Sequence, residues 1–227
     1  MSGMASFPIM LNMAGRLAVV IGGGSVGLRK AATLLEAGAM VTLIAPDISP
    51  EQEAQLQQTA ASATAEGLPS PSLTVIRQSY RGEQLARAFL VFACTDDRAL
   101  NAQIAADARK AGAIVNAADQ VEDCDFFMPA VVRDGPVVIA VGTGGSAPGL
   151  AGFLRDRLAD ACPPQAGRFA SALADLRTEL RSKIADSSSR MAILKRLSGE
   201  KGYRRFVAKG RQGLRKLLDE IINKNDE

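Results

Sequence analysis

Histidine and tryptophan are absent from the 227 residues. Without histidine, the chain lacks the commonest general base near neutral pH and the commonest transition-metal ligand. The three cysteines, Cys94, Cys124 and Cys162, are scattered and odd in number. They offer neither metal-ligand spacing nor a disulfide framework, so no zinc or haem centre of the usual kinds and no metal site is expected. That cysteine usage suggests a reducing, cytoplasmic setting. Acid–base chemistry falls to carboxylates, lysine, tyrosine, cysteine or water. No apolar run is long enough for a membrane span, so no membrane partner is expected. The stretch MSGMASFPIMLNMAGR has no basic leading region and no long apolar segment, so no signal peptide is expected. Sparse aromatics and the lack of a recognition-helix signature count against a nucleic-acid partner.

The chain is organised around Leu17 to Asp47, LAVVIGGGSVGLRKAATLLEAGAMVTLIAPD. Leu17–Ile21 is an apolar, β-branched run of strand length. Gly22, Gly24 and Gly27 follow in G-x-G-x-x-G spacing. A helix-period segment runs from about Val26 to Ala37, and Met40–Ala45 forms the next strand. This strand–turn–helix–strand unit is the context that a dinucleotide fingerprint requires. Gly22 permits a tight turn, Gly24 lets a pyrophosphate approach the backbone, and Gly27 lets helix and strand pack closely. The helix start then offers unpaired N–H groups to phosphates. Asp47, late after the second strand, suits a ribose 2′-hydroxyl and favours NAD over NADP; it serves equally as a cap or turn residue in PDISPEQ.

Further on, strands are expected at Leu73–Ile76, Phe89–Cys94 and Ala113–Ala118, with helices at 49–65, 80–86 and 99–111. The fold class is therefore α/β, a Rossmann-type doubly wound parallel sheet. Phe7–Met13 reads as an extended lead-in packing on the sheet edge. Thr95 and Asp96, at the carboxyl end of a strand, are candidates for ligand contact or for helix capping; Asp97 fits a cap better. Asp119 follows AIVNAA on the edge where the nicotinamide is expected. Cys124–Val132 and Pro136–Val141, separated by Arg133-Asp134-Gly135, read as a hairpin that pairs with another subunit. Gly142–Pro148, GTGGSAP, is a second glycine-rich turn, with Ser146 as an N-cap; it either receives a carboxylate or phosphate or serves as a flexible junction. Helices are expected at 150–158, 165–184, 190–197 and 204–222. Residues 151–227 hold 17 basic and 10 acidic side chains against 10 and 14 in residues 1–150, which is +7 against −4. Such a basic tail either attracts an anionic partner or is a solvated helical surface. The expected division is a nucleotide-binding domain (1–118), a small β dimerisation segment (119–160) and a basic helical domain on the substrate side (161–227).

VVIGGGSVGLRKAATLLEAGAMVTLIAPD, ACTDDRALNAQIA, VNAAD, CDFFMPAVV and GTGGSAPGLAGFLRDRL, in that order, resemble the siroheme-synthase family. Its members are precorrin-2 dehydrogenases, some also sirohydrochlorin ferrochelatases. The resemblance implies NAD-dependent oxidation of precorrin-2, an anionic tetrapyrrole, to sirohydrochlorin by a homodimer. It implies cofactor contacts around Ser25-Val26 and Pro46-Asp47 and a catalytic role for Asp119. It places Thr143 beside the site, with Gly142 standing where relatives usually carry Ser. Asn116, Gly144, Gly145 and Ser146 are the other substrate-side candidates. Residues 67–72 suggest a surface insertion. Dehydrogenation removes a hydride, which NAD accepts, and a proton, for which a carboxylate is the natural base here. Chelatase activity is expected to be weak or absent. A nucleotide-sensing regulatory module with a basic tail is the alternative of another class, but it has no need of Asp119. A methyltransferase using the glycine loop is disfavoured by the complete fingerprint.

Overall fold

The computed structural model describes residues 7–63, 69–118 and 120–223. The end of the expected helix at 65, the start of the expected insertion at 67 and Asp119 lie outside the described residues. The chain divides into two compact units, residues 1–128 and 129–227.

Among the described residues the first unit holds five strands: β1 (Leu17–Ile21), β2 (Met40–Ile44), β3 (Ser72–Ile76), β4 (Leu90–Ala93) and β5 (Ile114–Ala117). All pair in parallel, in the order β3-β2-β1-β4-β5. The interior strands read as continuous apolar runs because both their faces are covered. Helices α1 (Ser25–Glu36) and α2 (Pro50–Ser62) belong to one core, with Val20, Leu35, Val41, Leu43 and Phe92. Helix α3 (Arg98–Lys110) gives Ile104, Ala105 and Ala108 to the other, with Val19, Ile21, Val91 and Val115. Alternate β1 residues thus feed opposite cores, as the strand pleat dictates. The chain winds outward from β1 to β3 and then crosses back to β4 on the other side of β1. That reversal opens a crevice beyond the carboxyl ends of β1 and β4, the usual ligand position in such sheets.

Two local expectations in this unit are corrected. The lead-in Phe7–Met13 does not pack along the sheet edge: Phe7 is 85% and Met10 70% exposed, and only Met13 enters the core. The short helix expected at 80–86 is a 3-10 turn over Gly82–Leu85.

The second unit starts with an antiparallel hairpin, β6 (Ala130–Asp134) and β7 (Val137–Val141). Its first strand begins six residues later than the apolar run at Cys124 suggests. Cys124 and Asp125 instead lie against the outer edge of β5. Four helices follow among the described residues: α4 (Pro148–Ala161), α5 (Ala166–Lys183), α6 (Ser187–Leu197) and α7 (Glu200–Asn223). The hairpin tip docks on α5, where Asp134 Oδ2 accepts the Gly167 N–H at 2.8 Å. Leu176, Leu180, Ile193, Leu197, Phe206, Leu214 and Leu218 form the core of the helical part. The single helix expected over 204–222 is two arms folded at Gly210, whose φ of 56° and ψ of −147° suit glycine alone. Arg205 on the first arm thereby reaches Glu220 on the second, at 3.1 Å. Among the described residues no helix is long and apolar enough to cross a membrane.

Candidate active site

The turn after β1 shows three glycines under three different constraints. Gly22 has φ +113°, and a Cβ there would run into the Cys94 carbonyl at the end of β4. A Cβ on Gly27 would strike the Gly22 carbonyl oxygen, so the α1–β1 approach needs its absence. Gly24 differs. Its φ of −71° is open to any residue, and a Cβ would meet nothing within 4 Å. Nothing in the described protein requires a glycine there, whereas a phosphate drawn against the backbone does.

The start of α1 supports the same use. Gly24 caps it without a side chain, and no acidic residue stands in its first turn. The neighbouring starts are occupied. Ser49 closes a capping box with Gln52 on α2, and Asp97 accepts from Ala99 and Leu100 N–H on α3. Ser25, Val26 and Gly27 therefore carry N–H groups at the positive end of a helix dipole, with no acidic side chain in that turn to meet them. Bound NAD(P) fits this cradle.

Pro46 and Asp47 follow β2 and are exposed. The cap that PDISPEQ allows Asp47 is taken by Ser49, and Asp47 makes no hydrogen bond or ion pair among the described residues. At the end of β4, Thr95 is held from within. The Asn101 Oδ1 accepts from Thr95 N at 3.1 Å and from Thr95 Oγ1 at 2.8 Å, while Asn101 Nδ2 donates to Thr95 O at 3.0 Å. Asn101 is 2% exposed and fixes the wall of the crevice. Sequence reasoning missed it; the signal was an amide on the inner face of an otherwise alanine-rich helix. Asp96 is exposed and makes no described polar contact, and Asp97 is the α3 cap.

Asn116 lies on β5, where its Nδ2 donates to Phe126 O at 2.9 Å and approaches Cys124 Sγ at 3.4 Å. Its amide thus ties down the loop beyond the strand. Gln120 is 7% exposed; its Nε2 donates to Arg98 O at 3.2 Å, and its Oε1 has no partner among the described residues. Lys30, on the inner side of α1, places its ammonium 5.3 Å from the centre of the Phe92 ring. Burial pushes its pKa down, partly opposed by the nearby Cys94 and Cys124 thiols. Neither Gln120 nor Lys30 announces itself in the sequence.

In the second unit, Gly144 and Gly145 have positive φ, 61° and 79°. Thr143 closes this turn on itself: its Oγ1 accepts the Ala147 N–H at 3.2 Å, and its carbonyl accepts from Ser146 N and Oγ. Ser146 is therefore not the N-cap of α4. Ala147 holds that position, followed by Pro148 at the first helical residue.

A family model for NAD(P)-binding proteins matches residues 9–130, more than half of the chain. The siroheme synthase of Nitrosomonas eutropha is 34% identical over 222 residues, 97% of this chain and 44% of its own length. That of Nitrosococcus oceani is 36% identical over 187 residues, 82% of this chain and 37% of its own. The chain thus spans less than half of these relatives, and the resemblance read from its motifs agrees with both. Among solved structures, SirC, a precorrin-2 dehydrogenase, superposes with a TM-score of 0.73 over 95% of this chain and 100% of that one, at 22% identity. That likeness extends to the sheet, the small antiparallel pair and the terminal helices. A G-x-G-x-x-G turn with an uncapped helix, in a parallel sheet matched by that family over residues 9–130, leaves one conclusion: the chain belongs to the NAD(P)-binding family.

Proposed function

We propose that this chain oxidises precorrin-2 to sirohydrochlorin with NAD, a step toward siroheme. The observation that carries this reading is the alignment with siroheme synthases across 97% of the chain, well beyond the nucleotide-binding region. Gly22, Gly24 and Gly27 shape the phosphate cradle, and the N–H groups of Ser25 and Val26 hold the diphosphate. Asp47 accepts from the adenosine ribose hydroxyls and repels a 2′-phosphate, which selects NAD. Pro46, Thr95 and Asp96 border the same crevice. When bound, NAD supplies the hydride acceptor. The carboxylate of Asp119 takes the proton, since the chain contains no histidine to do so. The basic helices offer positive charge to a polycarboxylate substrate.

A homodimer is part of this proposal. Leu150, Phe153, Leu154 and Leu158 are exposed by 50%, 60%, 38% and 43%. Their spacing puts them along one side of α4, which packs on the two-stranded hairpin. A second copy covering that face accounts for both. The proposed division of labour is a nucleotide-binding domain over 1–118, a subunit contact over 119–160 and a substrate side over 161–227.

The test is absorbance at the NADH wavelength after mixing purified protein, NAD and precorrin-2. NADH should form with the wild type and not with Asp119→Asn, while that variant still binds NAD. Absence of NADH from the wild type, or full activity in the variant, rejects the reading. The relatives' name favours a second activity, iron insertion. Sirohydrochlorin and Fe²⁺ offered anaerobically to the same preparation would give siroheme if the chain performs both.

A further inference from the structure

Strand β5 ends at Ala117, and described residues on either side of position 119 share one anchor. The Cys124 thiol lies 3.2 Å from the carbonyl oxygens of both Ala117 and Gln120. Its sulfur also accepts the Ala117 N–H at 3.3 Å and faces Asn116 Nδ2 at 3.4 Å. One side chain thus touches the backbone just before residue 119 and just after it. The neighbouring residues fix the anchor itself. Asp125 N–H donates to Val115 O at 2.8 Å, and Asp125 Oδ2 accepts the Val115 N–H at 3.0 Å. Arg109 Nε holds the other carboxylate oxygen at 2.9 Å. On the far side, Gln120 Nε2 ties the loop to the start of α3 through Arg98 O.

Sulfur is well suited to this work. It is a weak donor and a weak acceptor, and its large radius lets it reach several backbone groups at once. Burial pushes the Cys124 thiol pKa up, so it stays protonated and keeps a hydrogen to share between the two carbonyls.

We infer that Cys124 is a positioning residue for dehydrogenation: its thiol clasps both flanks of Asp119 and sets where that carboxylate meets the substrate. The inference rests on the reading of Asp119 as the base. It assigns Cys124 no contact with substrate or cofactor, so the cysteine acts on turnover and not on nucleotide affinity.

Three variants test it in the NADH assay: Cys124→Ala, Cys124→Ser and Asp119→Asn. Cys124→Ala should lower kcat roughly 10- to 100-fold, the scale of a misplaced catalytic group. KM for NAD and the NAD dissociation constant should stay at wild-type values. Cys124→Ser, which keeps a donor and an acceptor, should recover most of kcat. Wild-type kcat in Cys124→Ala, with Asp119→Asn inactive, overturns the inference and leaves the dehydrogenase reading standing. So does a kcat loss matched by an equal loss of NAD affinity and thermal stability, with serine no better than alanine. A fully active Asp119→Asn removes the base, and the positioning role with it.

Discussion

Two glycine-rich turns each lead from a strand into a helix, and they use their glycines for opposite ends. After β1, Gly22 and Gly27 let the backbone close tightly, and the resulting helix start is left bare of capping side chains. After β7, the positive φ of Gly144 and Gly145 folds the chain back on itself, and Thr143 takes up the amide that an incoming ligand would meet. The first turn spends its freedom on an opening toward a ligand, the second on an internal lock. Glycine count alone does not separate the two; what separates them is where the N–H groups go.

The contrast can be broken most directly at Gly27. Gly27→Ala forces a methyl into the Gly22 carbonyl oxygen, so α1 must shift. The expected cost is about 1–3 kcal/mol, the range for overpacked interiors. Urea unfolding should show it, and NAD binding followed by calorimetry should be lost. Gly24→Val should separate binding from stability. With nothing within 4 Å of a Cβ, stability should stay within about 0.5 kcal/mol of wild type. NAD affinity should nonetheless fall by roughly tenfold or more, about 1.4 kcal/mol. The same change at Gly142, equally open, should alter neither. Loss of affinity at both positions would mean that the two turns are not different in kind.

The smallest effect concerns a third way of finishing a helix start, a charged cap. Asp186 accepts from Ser189 N at 2.6 Å and from Ser188 Oγ at the start of α6. These bonds, the one to Ser189 foremost, lower its pKa from 3.8 to about 2. A carboxyl depressed on folding adds stability above its unfolded value and loses it as pH falls through the folded one. Protection of the first α6 amides against hydrogen exchange should therefore decline between about pH 4 and 2, and Asp186→Asn should abolish that dependence. The bare start of α1, which has no such carboxylate, should show none.

Local signals made much of this fold legible. The glycine spacing, the flanking apolar runs and the alternation of strand and helix each reflect a constraint acting within about thirty residues. The nucleotide cradle could be read for that reason. Contacts made at a distance could not. Asn101 looks like an ordinary helix residue until the turn at Thr95, six residues earlier, closes on it. Cys124 and Asp125 read as the start of a strand because they adjoin an apolar run; in the fold they satisfy the outer amides of β5 instead. Gly210 sits in an amphipathic pattern that continues on both sides, and the fold-back appears only when Glu220 meets Arg205. Phe7–Leu11 shows the converse: an apolar stretch implies a covering surface, but a single chain need not supply it.

The dressing on β5 has one more consequence. A bare outer strand is a template on which further strands of other molecules can add without end. Here Val115 and Ala117 already spend their outward N–H groups on Asp125 and Cys124. Growth of the sheet across that flank is blocked, and an aggregating variant would be sought among those that strip Asp125 or Cys124 away.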